Sequence, residues 1–218
     1  MIELDFEGSV WVLRMRAGEN ALNQEWLDAV NAALDRFEAA DGPRALVTTG
    51  DGKFYSNGMD LDWLATVPGQ ADARLRAIYR VLGRVLALPA ITVAAVNGHA
   101  FGAGALLAVA HDFVVMRADR GFWCMPEADL GLPLTTEFLS VLTCKLPVRS
   151  IQEAVVTGRR YAGPDALSAG IVHQLADEDE VVPKSIGLAA DLAGKERRTV
   201  AEHKRLLYGA AISALRGS

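Results

Sequence analysis

The chain has 218 residues, of which 51% are hydrophobic and 22% are charged, and its formal net charge is −5. This length and composition are typical of one globular domain with a large core, and the acidic balance disfavours a nucleic-acid-binding or anionic membrane surface. The longest apolar stretches, such as Ala100–Ala110, are too short and too rich in glycine for a transmembrane helix. We therefore expect a single domain over residues 1–218 with neither a nucleic-acid nor a membrane partner.

The N-terminal residues and the cysteines indicate the compartment. Acidic side chains at Glu3, Asp5 and Glu7 are atypical of a secretory signal or a transit peptide. Cys124 and Cys144 form no Cys-x-x-Cys motif and no cluster with histidines. We therefore expect a cytoplasmic protein with two buried free thiols and no metal site.

The start of the chain predicts a hairpin followed by a helix. Two short alternating runs within Leu4–Arg16, broken at Gly8, predict the β-hairpin. The helix is expected to begin at an Asn23 cap and to end before the Asp41-Gly42-Pro43 turn. Its apolar residues recur at helical spacing. They are Trp26, Leu27, Val30, Ala33, Leu34 and Phe37.

In the middle of the chain, runs typical of strands alternate with runs typical of helices. Arg44–Thr49, Ile91–Val96 and Phe113–Met116 are apolar and rich in β-branched residues, which predicts buried strands. Ala71–Leu88 is amphipathic and Gly102–Ala110 is small and apolar, which predicts two helices. Strands alternating with helices through short connections predict an α/β fold built from crossover units.

The last third of the chain predicts helices. We expect two or three of them after Leu134, the last covering Thr199–Leu215. His203 and Lys204 are expected on the solvated face of this last helix. A core over about residues 1–145 would thus be followed by a helical region over about 146–218.

The first motif that carries chemistry is the turn Ser56-Asn57-Gly58-Met59-Asp60. A small residue and a glycine before a helix let backbone N–H groups point outward, where they can bind negative charge on an oxygen. Asp60 would cap that helix. A plain turn before a capped helix explains the same residues, so both interpretations stay open at this point.

A second glycine turn, Gly102-Ala103-Gly104, joins a predicted buried strand to a predicted buried helix. It lacks the third glycine of a dinucleotide-binding loop, and no Lys-Ser/Thr follows it as in a P-loop. The turn fits either an anion-binding role or close packing of the helix on the strand.

The strongest candidate for proton transfer is Glu127, which lies among apolar residues with prolines on both sides, in Trp123–Pro133. Partial burial would raise its pKa and suit it to general acid–base catalysis. Asp129 competes for this role, and Glu137 is a more distant candidate. An exposed turn acid or a helix cap is the structural alternative.

A hydrolytic triad is disfavoured. Ser56, His99, His111 and Asp112 include the required side chains, but the chain has no Gly-x-Ser-x-Gly elbow. His111 and Asp112 are instead expected to be a structural pair at a junction between a helix and a strand.

Taken together, these stretches resemble the crotonase superfamily, also called the enoyl-CoA hydratase/isomerase family. The resemblance runs through almost the whole chain, and the motifs occur in the order typical of the family. It implies a spiral of ββα units with a C-terminal helical region used for assembly into homotrimers or dimers of trimers. The matching stretches are Asn20–Asn23, Phe54–Leu61, Ala95–Gly104, Pro126–Pro133 and Ala166–Val172.

The resemblance also implies roles for individual residues. The backbone N–H groups of Met59 and Ala103 would form an oxyanion hole for a thioester, and Glu127 would be the acid/base. Coenzyme A would enter as part of the substrate, with no cofactor consumed. Contacts to the substrate or its CoA part would come from Ala21, Leu22, Ser56, Asn57, Gly58, Asp60, Leu61, Gly102 and Leu106.

One departure from the family pattern indicates the reaction. Hydratases of this family carry a first glutamate where this chain has Leu106, and Leu107 follows it. Hydration needs a water molecule that is held and activated between two carboxylates, which a single carboxylate cannot easily do. A single carboxylate can, however, move a proton from C2 to C4. Ser56–Leu61, the turn at His99 and Arg117–Glu127 also resemble the isomerase branch. The resemblance thus implies a Δ3,Δ2-enoyl-CoA isomerase, with an atypical hydratase, another crotonase reaction or a non-catalytic acyl-CoA-binding paralogue as alternatives.

Overall fold

The computed structural model describes residues 2–67 and 69–217, so Met1, Pro68 and Ser218 lie outside the described residues. Strands and helices alternate along most of this chain. The strands are β1 (Ile2–Glu7), β2 (Val10–Met15), β3 (Ala45–Thr49), β4 (Phe54–Ser56), β5 (Ile91–Val96), β6 (His99–Phe101), β7 (Phe113–Arg117), β8 (Trp123–Cys124), β9 (Arg160–Tyr161) and β10 (Gln174–Ala176). The helices are α1 (Gln24–Ala39), α2 (Leu61–Ala65), α3 (Ala71–Ala87), α4 (Ala103–Ala110), α5 (Glu127–Leu130), α6 (Thr136–Lys145), α7 (Val148–Thr157), α8 (Gly163–Ser168), α9 (Val181–Leu192) and α10 (Arg197–Arg216).

The larger sheet has six strands in the order β1-β2-β3-β5-β7-β10. The pair β1–β2 is antiparallel and confirms the predicted hairpin, with Gly8 in its turn at a φ of +67°. The remaining pairs are parallel. The α/β class with crossover connections, expected from the sequence, is confirmed.

Both faces of the larger sheet are covered, which explains the continuous apolar strands. Every residue of β3 is buried, as is typical of parallel strands with a layer on each side. One face packs against the core that contains the apolar residues of α1, α3 and α4. The other face packs against α9 through residues such as Val181 and Ala189.

The predicted helices of the first half are confirmed. The side chain of Asn23 caps α1 by accepting a hydrogen bond from the Trp26 amide at 3.1 Å. The six apolar residues that predicted α1 are the ones it buries. All eight residues of α4 are buried. In the described part of the chain, no helix combines the length and the hydropathy that crossing a membrane requires.

The smaller sheet has four strands in the order β4-β6-β8-β9. Its first three strands are parallel, and β9 pairs with β8 in the antiparallel direction. Each of these strands is only two or three residues long. The sheet therefore buries little by itself, and its role is to bring the loops that follow β4, β6 and β8 to one edge.

The C-terminal part departs from the expectation of two or three helices alone. Five α-helices, α6 to α10, follow residue 134, and the short strands β9 and β10 lie among them. β10 pairs with β7 and so completes the larger sheet. A strand of two or three residues is too short to show an alternating pattern, which is why the sequence did not reveal them. The assembly role of this region stays a prediction.

The expectation that Lys204 is solvated is wrong, whereas His203 is exposed as expected. Lys204 is 4% exposed, and its ammonium group donates to Asp112 Oδ2 and to the Ala90 carbonyl oxygen, both at 2.7 Å. Burial lowers the pKa of Lys204, and the charge of Asp112 opposes that shift. Lys204 precedes the buried Ala211 by two helical turns, so it belongs to the buried face of α10.

His111 and Asp112 are structural, as predicted, but they do not bond to each other. Asp112 Oδ2 also accepts from the Thr92 amide at 2.8 Å and the Thr92 hydroxyl at 3.0 Å. His111 is held by Thr48 Oγ1 at 3.0 Å. The pair Asp112–Lys204 thus ties α10 to the start of β5 and the end of α4.

Replacing Lys204 by Ala is expected to lower the free energy of unfolding by about 3–5 kcal/mol, because the largely buried side chain of Asp112, 13% exposed, loses its charged partner. Urea unfolding of the purified protein measures this value. The control is Lys184→Ala, because Lys184 is exposed and its removal should change stability by less than about 0.5 kcal/mol. Equal changes in the free energy of unfolding for the two substitutions would show that the pair Asp112–Lys204 contributes no more to stability than an exposed lysine does.

Candidate active site

Three loops meet at one edge of the smaller sheet. β4 pairs with β6 and β6 with β8, all in parallel, so their carboxyl ends lie side by side. Met59, Ala103 and Glu127 each follow one of these strands within three residues. The topology therefore brings the two glycine turns and the candidate acid together.

The first turn is backed by a short extended segment at Leu22. The Leu22 amide donates to the Gly58 carbonyl at 2.8 Å, and the Asp60 amide donates to the Leu22 carbonyl at 3.2 Å. This is a parallel bridge between Leu22 and Met59, in which the N–H of Met59 points away from Leu22. Within the described chain the Met59 amide donates to no acceptor, so it is available to a ligand.

The second turn places a helix N-terminus beside the first. Gly102 precedes α4 with φ +50° and ψ −121°, a conformation suited to glycine. Ala103 is the first residue of α4, so its N–H has no acceptor within the helix, and Gly102 offers no side-chain cap. Such an N–H, at the positive end of a helix dipole, favours an oxygen that carries negative charge.

The two turns touch at Gly58, which has a φ of +90°. A Cβ atom at this position would lie 2.6 Å from the Phe101 carbonyl oxygen and 3.3 Å from the Ala103 nitrogen. Only glycine lets the turns approach this closely without strain. The amides of Met59 and Ala103 are neighbours for this reason.

A cavity of about 250 Å³ opens beside the two turns. Of its lining residues in the described chain, Glu127 is the single ionisable one, and Asn57 and Thr135 carry the other polar side chains. The remaining wall is apolar or glycine. It consists of Gly58, Met59, Leu61, Leu64, Leu75, Gly102, Ala103, Pro126, Leu130, Leu132, Pro133, Leu134 and Phe138.

Glu127 is half-buried, and its environment suits proton transfer. Its Oε2 atom is buried and has no hydrogen-bond partner among the described residues. Its Oε1 atom lies 3.4 Å from where a Cβ of Gly102 would stand, so the carboxyl group faces the second turn. Burial raises the pKa of Glu127, although a hydrogen bond from its own backbone opposes the shift. An unpaired carboxyl group with a raised pKa in a cavity is a candidate catalytic group.

The competing acids lie outside the cavity. Asp129 is exposed, and its Oδ2 atom would be 2.8 Å from a Cβ on Gly158, so it stands against the end of α7. Glu137 is half-buried and accepts a hydrogen bond from the Thr136 hydroxyl at 3.1 Å. Neither lines the cavity, which favours Glu127 over both.

The structure brings together seven of the residues expected from the sequence. All seven line the cavity. They are Asn57, Gly58, Met59, Leu61, Gly102, Ala103 and Glu127.

The other five expected residues do not line the cavity. Leu22 and Leu106 are 1% and 0% exposed, and their side chains belong to the core, so their contact with a substrate stays a prediction. Ser56 is buried and its hydroxyl is used within the turn, and Asp60 caps α2 through the Trp63 amide, as predicted. Ala21 borders a separate cavity of about 80 Å³, and its contact with the CoA part stays a prediction.

The sequence did not single out most of the apolar wall. Leu64 and Leu75 come from α2 and α3, and Leu130 and Leu132 from the segment after Glu127. The sequence did contain one indication of this wall, because the segment that forms α2 is rich in apolar residues. In the structure, α2 buries none of them. Leu130 remains 56% exposed, and large exposed apolar side chains around a concavity typically mark a binding site.

The side chains of a hydrolytic triad are not assembled. Ser56 Oγ contacts the Asn20 carbonyl oxygen and the Gly58 amide rather than a histidine. Burial lowers the pKa of His111 to about 4, and this ring contacts Thr48. The described residues also contain no group of three or more histidine, cysteine or acidic side chains arranged to hold a metal ion. Cys124 and Cys144 are both free thiols, as predicted; the expected burial is confirmed for Cys124 but was wrong for Cys144, which is half-buried.

The chain is similar in sequence and in fold to known proteins. The family model described as Enoyl-CoA hydratase/isomerase matches residues 5–215. The peroxisomal enoyl-CoA delta isomerase 2 of Arabidopsis thaliana is 33% identical over 207 residues, covering 90% of this chain and 86% of the relative. A probable enoyl-CoA hydratase of Bacillus subtilis is 30% identical over 202 residues, covering 91% of this chain and 78% of the relative. The apo structure of an enoyl-CoA isomerase of Mycobacterium tuberculosis is 29% identical, with a TM-score of 0.92 and coverage of 99% of this chain and 94% of that one.

Replacing Gly58 by Ala is expected to separate the two turns. The free energy of unfolding should fall by about 1–3 kcal/mol more than in Gly8→Ala, because the added Cβ overpacks the contact. Gly8 is the matched control, since it also has a positive φ and a Cβ there meets no atom within 4 Å. Thermal or urea unfolding of both variants gives the difference. If both substitutions lower the free energy of unfolding equally, the turns can accommodate a Cβ atom at Gly58.

Proposed function

The chain belongs to the enoyl-CoA hydratase/isomerase family, the crotonase superfamily of acyl-CoA enzymes, and we propose that it is a Δ3,Δ2-enoyl-CoA isomerase. The proposed reaction moves the double bond of a 3-enoyl-CoA to give the 2-enoyl-CoA. Its main support is the cavity, which combines one carboxyl group with two available backbone amides in an otherwise apolar wall. The substrate brings coenzyme A, and no cofactor is consumed.

The first step is removal of a proton from C2. The thioester oxygen accepts hydrogen bonds from the amides of Met59 and Ala103, and ionised Glu127 takes the C2 proton. The electron pair left on C2 is delocalised into a dienolate whose negative charge lies largely on that oxygen. Each amide directed at such an oxygen typically contributes about 10²–10³ in rate.

The second step returns the same proton at C4. The double bond between C3 and C4 moves to C2 and C3 as C4 accepts the proton from Glu127, which becomes ionised again. A carboxyl group whose pKa burial has raised holds the proton long enough to deliver it. Positioned acid–base groups of this kind contribute about 10²–10⁴ in rate.

The composition of the cavity disfavours hydration. Adding water to a 2-enoyl-CoA needs a water molecule held between two acids, and Glu127 is the single acid among the lining residues described. Leu106 occupies the place of the second acid, but it does not border the cavity. Its contribution to the proposed reaction is therefore that it supplies no second carboxylate.

The runner-up is a hydratase, because one relative, from Bacillus subtilis, is named a probable enoyl-CoA hydratase. A non-catalytic acyl-CoA-binding protein would have no need for an unpaired carboxyl group with a raised pKa beside the two amides. Assembly as a homotrimer or a dimer of trimers and a cytoplasmic location remain proposals, and the Arabidopsis thaliana relative is peroxisomal.

The purified enzyme is expected to convert 3-enoyl-CoAs to 2-enoyl-CoAs and to leave 2-enoyl-CoAs unhydrated. Absorbance of the conjugated thioester follows both reactions with substrates of several chain lengths.

Glu127→Gln should lower isomerase turnover by at least about 10²-fold, because the proton acceptor is lost, while acyl-CoA binding survives.

The matched control is Asp129→Asn, which neutralises a neighbouring acid outside the cavity and should keep most of the turnover. Near-normal turnover by Glu127→Gln would remove Glu127 from the mechanism and turn attention to Asp129 and Glu137. Efficient hydration of 2-enoyl-CoA by the unaltered enzyme would favour the hydratase instead, and binding without any turnover would favour a non-catalytic protein.

The pH dependence of kcat/KM should report the ionisation of Glu127. This group must lose its proton before it can accept one from C2, so kcat/KM falls as the pH is lowered through its pKa. Because burial raises that pKa, the midpoint should lie above the value of about 4.3 that is ordinary for a glutamate. The midpoint should stay in place in Asp129→Asn. A midpoint at or below the ordinary value would contradict the role of burial.

A further inference from the structure

Asn20 has the most unusual backbone among the non-glycine residues described. Its φ of +49° is the single positive value outside the glycines of the described chain, and the residue is fully buried. Asparagine tolerates this region better than most residues, but the conformation still has an energetic cost. Backbone strain of this kind persists where the surrounding contacts enforce it, and it is frequent next to functional sites.

The side chain of Asn20 ties its loop to β4. Its Oδ1 atom accepts a hydrogen bond from the Ala17 amide at 2.8 Å. Its Nδ2 atom donates to the carbonyl oxygens of Phe54 and Tyr55, each at 3.2 Å. These contacts hold the loop before α1 against the strand that leads into the first turn.

The backbone of the same residue continues into that turn. The Ser56 hydroxyl donates to the Asn20 carbonyl oxygen at 2.7 Å and accepts from the Gly58 amide at 3.2 Å. Next to it, the Asn57 amide donates to the Glu19 carbonyl oxygen at 2.9 Å. The amides of Asn57 and Gly58 are therefore both fixed by the Asn20 loop, directly or through one hydroxyl.

The second turn limits where the Ser56 hydroxyl can move. A Cβ atom at Gly104 would stand 2.7 Å from Ser56 Oγ, so this oxygen packs directly on the first turn of α4. Ser56 is thus held between the Asn20 carbonyl and the helix that carries Ala103. A larger side chain at position 56 would push the two turns apart.

We propose that Asn20, acting through Ser56, is a positioning residue that sets the direction of the Met59 amide. This inference rests on the proposed role of that amide as an oxyanion donor. Neither Asn20 nor Ser56 lines the cavity, so both act through the peptide groups of residues 57–59. Glu19 and Leu22, on either side of Asn20 and Ala21, contribute the backbone bonds to the same turn.

The test measures how strongly the enzyme polarises a thioester carbonyl. A 2-enoyl-CoA labelled with ¹³C at this carbonyl is bound to the full-length protein, and infrared or Raman difference spectra give the carbonyl stretching frequency. The unaltered protein should lower it relative to the free thioester, since two hydrogen bonds draw charge onto the oxygen. In Asn20→Ala and in Ser56→Ala the frequency should return part of the way to the free value.

Kinetics provide the second readout. Misplacing an oxyanion donor weakens the transition state more than the ground state, so kcat for isomerisation should fall about ten- to a hundredfold with KM nearly unchanged. Ser56→Ala removes one hydroxyl and keeps the test available if Asn20→Ala does not fold.

The matched control is Asn97→Ala. Asn97 also holds a backbone turn, since its Oδ1 accepts from the Gly50 amide at 2.9 Å and its Nδ2 donates to the Gly52 carbonyl at 3.1 Å. Asn97 lies just before the amino-terminal end of β6, whereas the loops that form the cavity follow the carboxyl ends of the strands of the smaller sheet. Its variant should lose some stability but keep both the carbonyl frequency and kcat.

The outcomes separate this inference from the proposed function. If Asn20→Ala and Ser56→Ala leave the carbonyl frequency unchanged while stability falls, Asn20 is only structural and the inference is overturned. If the unaltered protein polarises the carbonyl but does not isomerise 3-enoyl-CoA, and the variants lose the polarisation, the inference stands and the isomerase assignment fails. If the unaltered protein does not polarise the carbonyl at all, the inference and the oxyanion hole fail together.

Discussion

Close contact between two backbone turns is the constraint on which the site depends. Two N–H groups can address one oxygen only if the peptides that carry them lie side by side, and a Cβ atom at Gly58 would occupy the space between them. The three parallel strands of the smaller sheet bring the turns to one edge. The same topology delivers Glu127 next to Gly102, so the acid and the amides are positioned by one short sheet.

The apolar wall and the single acid are linked by electrostatics. A carboxyl group loses hydration when leucines and a phenylalanine surround it, and the resulting rise in the pKa of Glu127 disfavours its ionised form. The same low dielectric strengthens the hydrogen bonds from Met59 and Ala103 to a developing oxyanion. One structural feature thus makes the base stronger and the oxyanion hole more effective, at the cost of keeping a group without a partner in the folded protein.

The sequence predicted the elements whose pattern is long or strongly apolar, and it failed where partners are distant or elements are short. The strand Ile91–Val96 has the predicted ends, because a buried parallel strand reads as a continuous apolar run. Strands of two or three residues show no period. Lys204 was misplaced because its partner Asp112 is far away in the chain and a lysine in a helix is usually solvated. Among the site residues, the glycine turns and Glu127 were identifiable from motifs and order. Leu106 was expected to contact the substrate from its position in the motif, but its burial in the core was not predictable from that position.

The two proposed oxyanion donors are held by different physical means. Ala103 begins a helix that is buried on every side, so its position is set by close packing, which resists small displacements. Met59 precedes α2, which buries none of its residues, and its turn depends on hydrogen bonds from the segment that contains Asn20. Hydrogen bonds fix direction but can be exchanged for water when a loop opens. The first turn is therefore the more adjustable half of the site, and the buried amide of Asn20 compensates for the packing that α2 does not provide.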